Sequence, residues 1–286
     1  MHKLELLDGA MGSEFINRGF PLPNHIWSAK MNLDAQEIVA QIHNEYVEAG
    51  ALYITTNTFR TTPRAYAKTG LSLSDATLIA ERSLKNAVNI AKDASNSKSV
   101  ILGSIAPLED CYNPNAFPNQ IQAYSEFKQL TQWFNEVDID IFLIETMNSL
   151  IETETCIKAA EKHNKPIWVS YVLKNNNHLL SGESLLDALL LLDKYKIECV
   201  LINCNPLNRT DNTLELLSDN WDKRWGIYPN LGIGEPSPDG NIKDISSNEE
   251  FLSVANNAVD KGATLIGGCC GSSPKHIRLL HDTFIK

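Results

Sequence analysis

Two short stretches deliver sulfur to the ends of apolar runs: Ile202-Asn203-Cys204-Asn205 and Ile266-Gly267-Gly268-Cys269-Cys270-Gly271. Each run has the composition of a β-strand, so each cysteine stands where a buried strand opens into a loop. Three thiols brought to one place suit a soft, tetrahedral cation such as zinc, which takes thiolates readily and is catalytic when one position stays open. The open position is expected to belong to the substrate. Six cysteines in 286 residues are too few for a disulfide-stapled scaffold, and a vicinal Cys269–Cys270 disulfide would close a strained ring. Cys111, Cys156 and Cys199 read as small buried hydrophobes. Alternation along the strand directs Cys199 to the face opposite Cys204.

For the two stretches to meet, their strands must end on the same side of one sheet. The chain alternates short apolar runs with longer segments of helical period. Strands are predicted at Leu4 to Asp8, Leu52 to Thr56, Val100 to Ser104, Ile141 to Glu145, Ile167 to Leu173, Cys199 to Asn203, Gly226 to Pro229 and Thr264 to Gly268. Helices are predicted between them, at Asp34 to Ala49, Ser74 to Ala91, Asn119 to Asn135, Ser149 to His163, Ser184 to Tyr195, Asn208 to Asn220 and Asn248 to Lys261, with Pro274 to Phe284 last. Ser74 and Asn248 read as helix starts, Pro274 fits a first turn after Ser273, and Gly50 and Gly262 fit left-handed helix ends. Eight β-then-α units predict a single-domain (β/α)8 TIM barrel spanning residues 1–286. No Gly-x-Gly-x-x-Gly follows the first strand, which argues against a dinucleotide site.

A barrel places its chemistry at the C-terminal ends of its strands. Asp8-Gly9, Thr56-Asn57, Ser104, Glu145-Thr146, Asn203-Cys204, Asn230 and Cys269-Cys270 all fall there. Two segments rich in Pro, Gly, Asn and Asp, Asp110 to Pro118 and Gly232 to Asp244, read as long loops at the same face. The net charge of -10 leaves no basic stripe for nucleic acid. Asp8 comes too early for a signal peptide's apolar region and no run reaches membrane-spanning length, so a cytoplasmic protein is expected. None of the seven histidines has a partner at helical ligand spacing, and His276 and His281 read as helix surface.

Taken together and in order, LDGAMGSE, WSA (Trp27 to Ala29), TTNTF (Thr55 to Phe59), GSIAP (Gly103 to Pro107), ETM (Glu145 to Met147), INC, YPN (Tyr228 to Asn230) and GGCCGSSP (Gly267 to Pro274) resemble the zinc-dependent homocysteine S-methyltransferases. That family has a (β/α)8 fold, in agreement with the strand count. The resemblance implies one zinc per chain held by Cys204, Cys269 and Cys270. It also implies Glu145 as acceptor for the ammonium of homocysteine. Asp8 and Gly9 are expected to hold the same head group, the glycine allowing close backbone approach. The plain alternatives are a turn-forming Asp8 and a solvated strand end at Glu145.

Coordination to zinc would ionise the homocysteine thiol, whose free pKa is near 8.5, and the thiolate would take a methyl group from a sulfonium or quaternary ammonium. Trp27, Phe59, Tyr112 and Tyr228 are candidates for caging such a cation, and Asn57 and Asn230 for ordering the site's hydrogen bonds. WSA, SGESL (Ser181 to Leu185) and YPN look like the branch that uses S-methylmethionine, which is the favoured donor. Leu231 departs from that branch, which carries a small residue after YPN. S-adenosylmethionine or betaine as donor, a subunit serving a separate corrinoid protein, and a non-catalytic regulatory zinc barrel are the other readings. Cobalamin-type methionine synthases resemble the chain only in their first module.

Overall fold

The computed structural model describes residues 3–95, 98–233, 242 and 244–285. Its eight strands are β1 (Glu5–Leu6), β2 (Tyr53–Thr55), β3 (Val100–Ile105), β4 (Ile141–Met147), β5 (Ile167–Tyr171), β6 (Ile197–Pro206), β7 (Arg224–Asn230) and β8 (Leu265–Ile266). All pairs are parallel, in the order β1-β8-β7-β6-β5-β4-β3-β2. Leu7 bridges to Tyr53, and the bond from Asp8 N to Tyr53 O at 3.0 Å draws β1 against β2. The result is the expected single-domain (β/α)8 TIM barrel.

The helices are α1 (Met11–Asn17), α2 (Met31–Asp34), α3 (Gln36–Ala49), α4 (Pro63–Ala67), α5 (Leu73–Ser95), α6 (Gln120–Glu136), α7 (Leu150–Ala160), α8 (Leu185–Leu192), α9 (Leu207–Asp211), α10 (Leu214–Asn220), α11 (Asn248–Asp260) and α12 (Pro274–Phe284). Among the described residues, no helix is long and apolar enough to cross a membrane. Short α1, α2 and α4 give too few turns for a period to show in the sequence. The expected helix from Asn208 to Asn220 is two, because Thr210 and Thr213 turn their hydroxyls onto the carbonyls of Pro206 and Arg209 and close the first piece early.

Two helix starts also differ. Ser72, not Ser74, accepts from the Asp75 amide, and Ser247, not Asn248, forms a capping box with Glu250. In both, a hydroxyl three residues ahead of an acidic side chain satisfies a first-turn amide. His276 is no idle surface residue either, since its Nδ1 closes the start of α12 against Ser273.

Strand alternation splits the core in two. Inside the barrel lie Leu7, Tyr53, Leu102, Leu143, Trp168, Cys199, Leu201 and Leu265, while Ile54, Ile101, Phe142, Val169 and Val200 pack outward with the helices. At the N-terminal end Arg224 lies over Trp168 and Tyr53, 5.1 and 5.3 Å from the ring centroids, and pairs with Glu5. This stacked cation floors the barrel and leaves the opposite end open for chemistry.

His43 on α3 is fully buried, and neither ring nitrogen has a partner among the described residues. Burial lowers its pKa to about 4 from 6.5. The unfolded chain takes up that proton below pH 6.5 and the folded one does not, so stability is full above 6.5 and falls as pH drops toward 4. The loss reaches about 3 kcal/mol, at 1.36 kcal/mol per pKa unit over this interval. Denaturant unfolding of wild type and His43→Leu should therefore diverge by this amount between pH 6.5 and 4. Parallel pH curves would show that the imidazole ionises inside the fold.

Candidate active site

Toward the C-terminal ends of the strands the interior changes from apolar to polar. The inward positions after Tyr53, Leu102, Leu143, Trp168 and Leu201 are Thr55, Ser104, Glu145, Ser170 and Asn203. Their side chains bond across strands. Ser104 donates to Glu145 Oε1, and Tyr228 Oη lies 3.3 Å from Glu145 Oε2 and 2.6 Å from Ser170 Oγ. Ser170 donates to Asn203 Oδ1 at 2.9 Å, and Asn203 Nδ2 donates to Thr146 Oγ1 at 2.8 Å. This network couples the rotamers of its members, with the single Tyr228 proton shared between the Ser170 and Glu145 oxygens.

Cys204 follows Asn203, so alternation alone would aim it at the helices. A left-handed backbone with φ of 53° turns it into the barrel mouth instead. Cys199 thus occupies the interior face, in the apolar cluster with Leu201, and not a side away from the site. Thr146 and Trp27 are also left-handed, with φ of 57° and 45°. Non-glycine residues rarely adopt this region, and a β-branched threonine there carries strain that the surrounding bonds must hold.

The end of β7 clamps the sulfur-bearing segments. Asn230 Nδ2 donates to the Cys204 carbonyl at 3.0 Å, Cys269 N donates to Pro229 O at 2.8 Å, and Leu231 N donates to Cys270 O at 2.9 Å. The three sulfurs lie within 4.8 Å of one another, with Cys204 Sγ 2.7 Å from Cys269 Sγ. Their mutual contacts push the Cys204 thiol up, and the neighbouring Cys204 and Cys269 thiols favour the thiolate of Cys270, which lies well below the ordinary thiol range. Three thiolates at ~2.3 Å from a tetrahedral ion would stand about 3.8 Å apart, so the trio fits the donor set of a soft cation. Among the described residues, no fourth His, Cys, Asp or Glu joins them.

Asp8 and Glu145 share the cavity with the sulfurs, and at 5% and 7% exposure neither is a solvated end. Asp8 accepts from Thr55 N at 2.8 Å and Thr55 Oγ1 at 2.9 Å. Burial nonetheless raises Asp8 to about 8 and Glu145 to about 7. Gly9 lines the cavity too, but its missing side chain serves packing: a Cβ would meet the Ser272 hydroxyl at 2.7 Å and the Tyr46 ring at 2.8 Å. The cavity measures about 610 Å³ and is also walled by Trp27, Asn57, Phe59, Tyr112 and Tyr228. Asp110 to Tyr112 edge it as expected, whereas most of Gly232 to Asp244 lies outside the described residues. Asn57 holds Ser28 and Asn32 in place behind the wall. Cys111 is buried at the cavity edge, its thiol pushed up to about 12 by burial, and Cys156 packs in the helix layer.

A family model described as homocysteine S-methyltransferase matches residues 5–284. The chain belongs to the homocysteine S-methyltransferase family. It is 28% identical to homocysteine S-methyltransferase YbgG of Bacillus subtilis, over 97% of this chain and 93% of that one. It is 23% identical to selenocysteine Se-methyltransferase of Brassica oleracea var. italica, over 98% and 88%. The metallated crystal structure of the homocysteine methyltransferase MmuM from Escherichia coli superposes with a TM-score of 0.85 at 24% identity, covering 98% of this chain and 96% of that one, and shows the same fold. The family membership makes this chain a methyltransferase.

Thr55, Ser104 and the hydroxyl of Tyr228 were not legible as partners of the acids, because cross-barrel adjacency depends on register that sequence does not print. Tyr228→Phe should leave Ser104 as the one side-chain donor to Glu145. The carboxyl midpoint, followed by carbon NMR of labelled glutamate, is expected to rise further above its ordinary range than the wild-type value of about 7. A midpoint that stays or falls would show that the tyrosine does not stabilise the ionised acid.

Proposed function

We propose that this chain transfers a methyl group from a small cationic donor, S-methylmethionine before S-adenosylmethionine or betaine, to the thiol of L-homocysteine, forming methionine. The observation that carries the reading is the opening of Cys204, Cys269 and Cys270 into the same cavity as Asp8 and Glu145. The three cysteines would hold one zinc, which when bound supplies the positive charge that keeps an incoming thiol ionised at neutral pH. The absence of a fourth protein ligand among the described residues favours this open site over a closed structural one.

The chain's own groups then orient the acceptor. Glu145 and Asp8 accept from its ammonium, and the arriving cation returns both raised carboxyls to their ionised form. Acceptor binding therefore releases protons and strengthens as pH rises toward 8, the upper of the two midpoints. Ser104 and Tyr228 keep Glu145 aimed, while Trp27, Phe59 and Tyr112 give the donor apolar, π-faced walls. The thiolate lone pair forms the new S–C bond as the donor's C–S bond breaks. With a sulfonium donor, anion and cation become two neutral thioethers; with betaine the C–N bond breaks and a tertiary amine leaves. Either way the step annihilates charge, which fixed dipoles in surroundings of low polarity favour.

Purified protein loaded with zinc should carry one ion per chain and make methionine from homocysteine with at least one member of a panel of S-methylmethionine, S-adenosylmethionine and betaine. Cys204→Ala and Cys270→Ala are expected to lose the ion and at least about 1,000-fold of turnover, with the far-ultraviolet dichroism of the barrel retained. Full activity in either variant would refute the ligand set, and inactivity with the whole panel would refute the donor class.

A further inference from the structure

Beside the cavity, the cations Arg64 and Lys68 are taken up by carboxylates, and Arg60 is not. Glu109 takes Arg64 Nη1 at 3.0 Å and Lys68, and the other Arg64 nitrogens grip Glu126 at 3.0 and 2.6 Å. Two cations and two carboxylates neutralise one another there. Asp110 Oδ1 is occupied by the Tyr112 amide. Arg60 lines the same cavity, yet among the described residues it makes no ion pair. Among the described residues its one hydrogen bond is from Nη1 to the backbone carbonyl of Glu109, at 2.6 Å, and its guanidinium stands 5.5 Å from the centroid of the Phe59 ring. The neighbouring acid Glu152 accepts from the Leu108 amide at 2.9 Å and feels the Arg60 charge without forming an ion pair with it among the described residues. A guanidinium has five N–H donors in a planar fork, so most of this one remains available on the cavity wall.

The cavity lining therefore carries both signs: three sulfurs and two buried carboxyls, and a guanidinium without an ion pair among the described residues. An onium alone gains from the first and is repelled by the second, whereas a molecule with a cationic methyl-bearing centre and a carboxylate on its tail matches both. We propose that Arg60 is a specificity-determining residue that binds the carboxylate of the methyl donor, so that the enzyme selects onium donors with an anionic tail. This rests on the methyl transfer proposed above. The planar fork makes paired, charge-assisted bonds to a carboxylate, and the Phe59 ring holds the guanidinium plane in place.

The test compares S-methylmethionine with trimethylsulfonium, which keeps the transferable methyl and lacks the carboxylate, in wild type, Arg60→Gln and Arg60→Lys. The ratio of kcat/KM for S-methylmethionine to that for trimethylsulfonium should fall about 10- to 100-fold in Arg60→Gln, carried by KM, and recover in part in Arg60→Lys. The homocysteine KM should not follow. A ratio that does not change, or a rise in homocysteine KM in its place, would overturn the assignment, the second outcome giving the guanidinium to the acceptor. Calorimetric binding of S-methylmethionine separates the two proposals. If no donor is turned over by wild type, methyl transfer fails as a reading. Tighter binding to wild type than to Arg60→Gln still supports Arg60, and equal binding or none overturns it.

Discussion

Three sulfurs are held within 4.8 Å by a strand end that contributes no sulfur of its own. Tyr228, Pro229, Asn230 and Leu231 reach Glu145, Cys269, Cys204 and Cys270 in turn, through one side-chain hydroxyl, one amide side chain and two backbone bonds. Backbone bonds of this kind do not depend on rotamer choice, so the cysteine loops are set by the parallel register of β6, β7 and β8. The strained φ of Cys204 is tolerable because its carbonyl is tied down on the far side by Asn230. Remove the clamp and nothing else among these contacts would keep Cys204 from following its strand's alternation outward.

The second constraint is charge. The mouth gathers two buried carboxyls and three sulfurs, and burial alone drives Asp8 and Glu145 toward their neutral forms. Every one of these groups gains when a cation arrives. In the proposed reaction a metal, an ammonium and an onium arrive together, and the methyl step removes one unit of each sign. The floor of the barrel shows the same logic in structural form, with Arg224 stacked on Trp168 and Tyr53 and paired with Glu5.

Much of this was legible in the sequence. Parallel barrel strands are buried on both faces and read as continuous apolar runs, which is why all eight were found and why Cys204, Glu145 and Cys269 fell at strand ends. The hidden part has specific causes. Alternation misplaced Cys199 because the inversion at Cys204 is a backbone event with no residue signature. Ser72 and Ser247 lost their cap roles to neighbours that fit the same pattern one or two positions later. The Tyr228–Glu145 and Thr55–Asp8 contacts join strands that are distant in the chain, and the isolation of Arg60 appears only once Arg64, Lys68 and Glu109 are seen to satisfy one another. Motifs picked out the three cysteines and two acids that share the cavity, and only the folded register showed which groups hold them.

The central claim is that the protein leaves one ligand position to the acceptor's sulfur. X-ray absorption at the zinc edge of the loaded protein reads this directly. The account predicts three sulfurs and one lighter atom at rest, and a full sulfur shell after homocysteine is added. A shell already closed by protein atoms, or one that homocysteine leaves as it was, would contradict it.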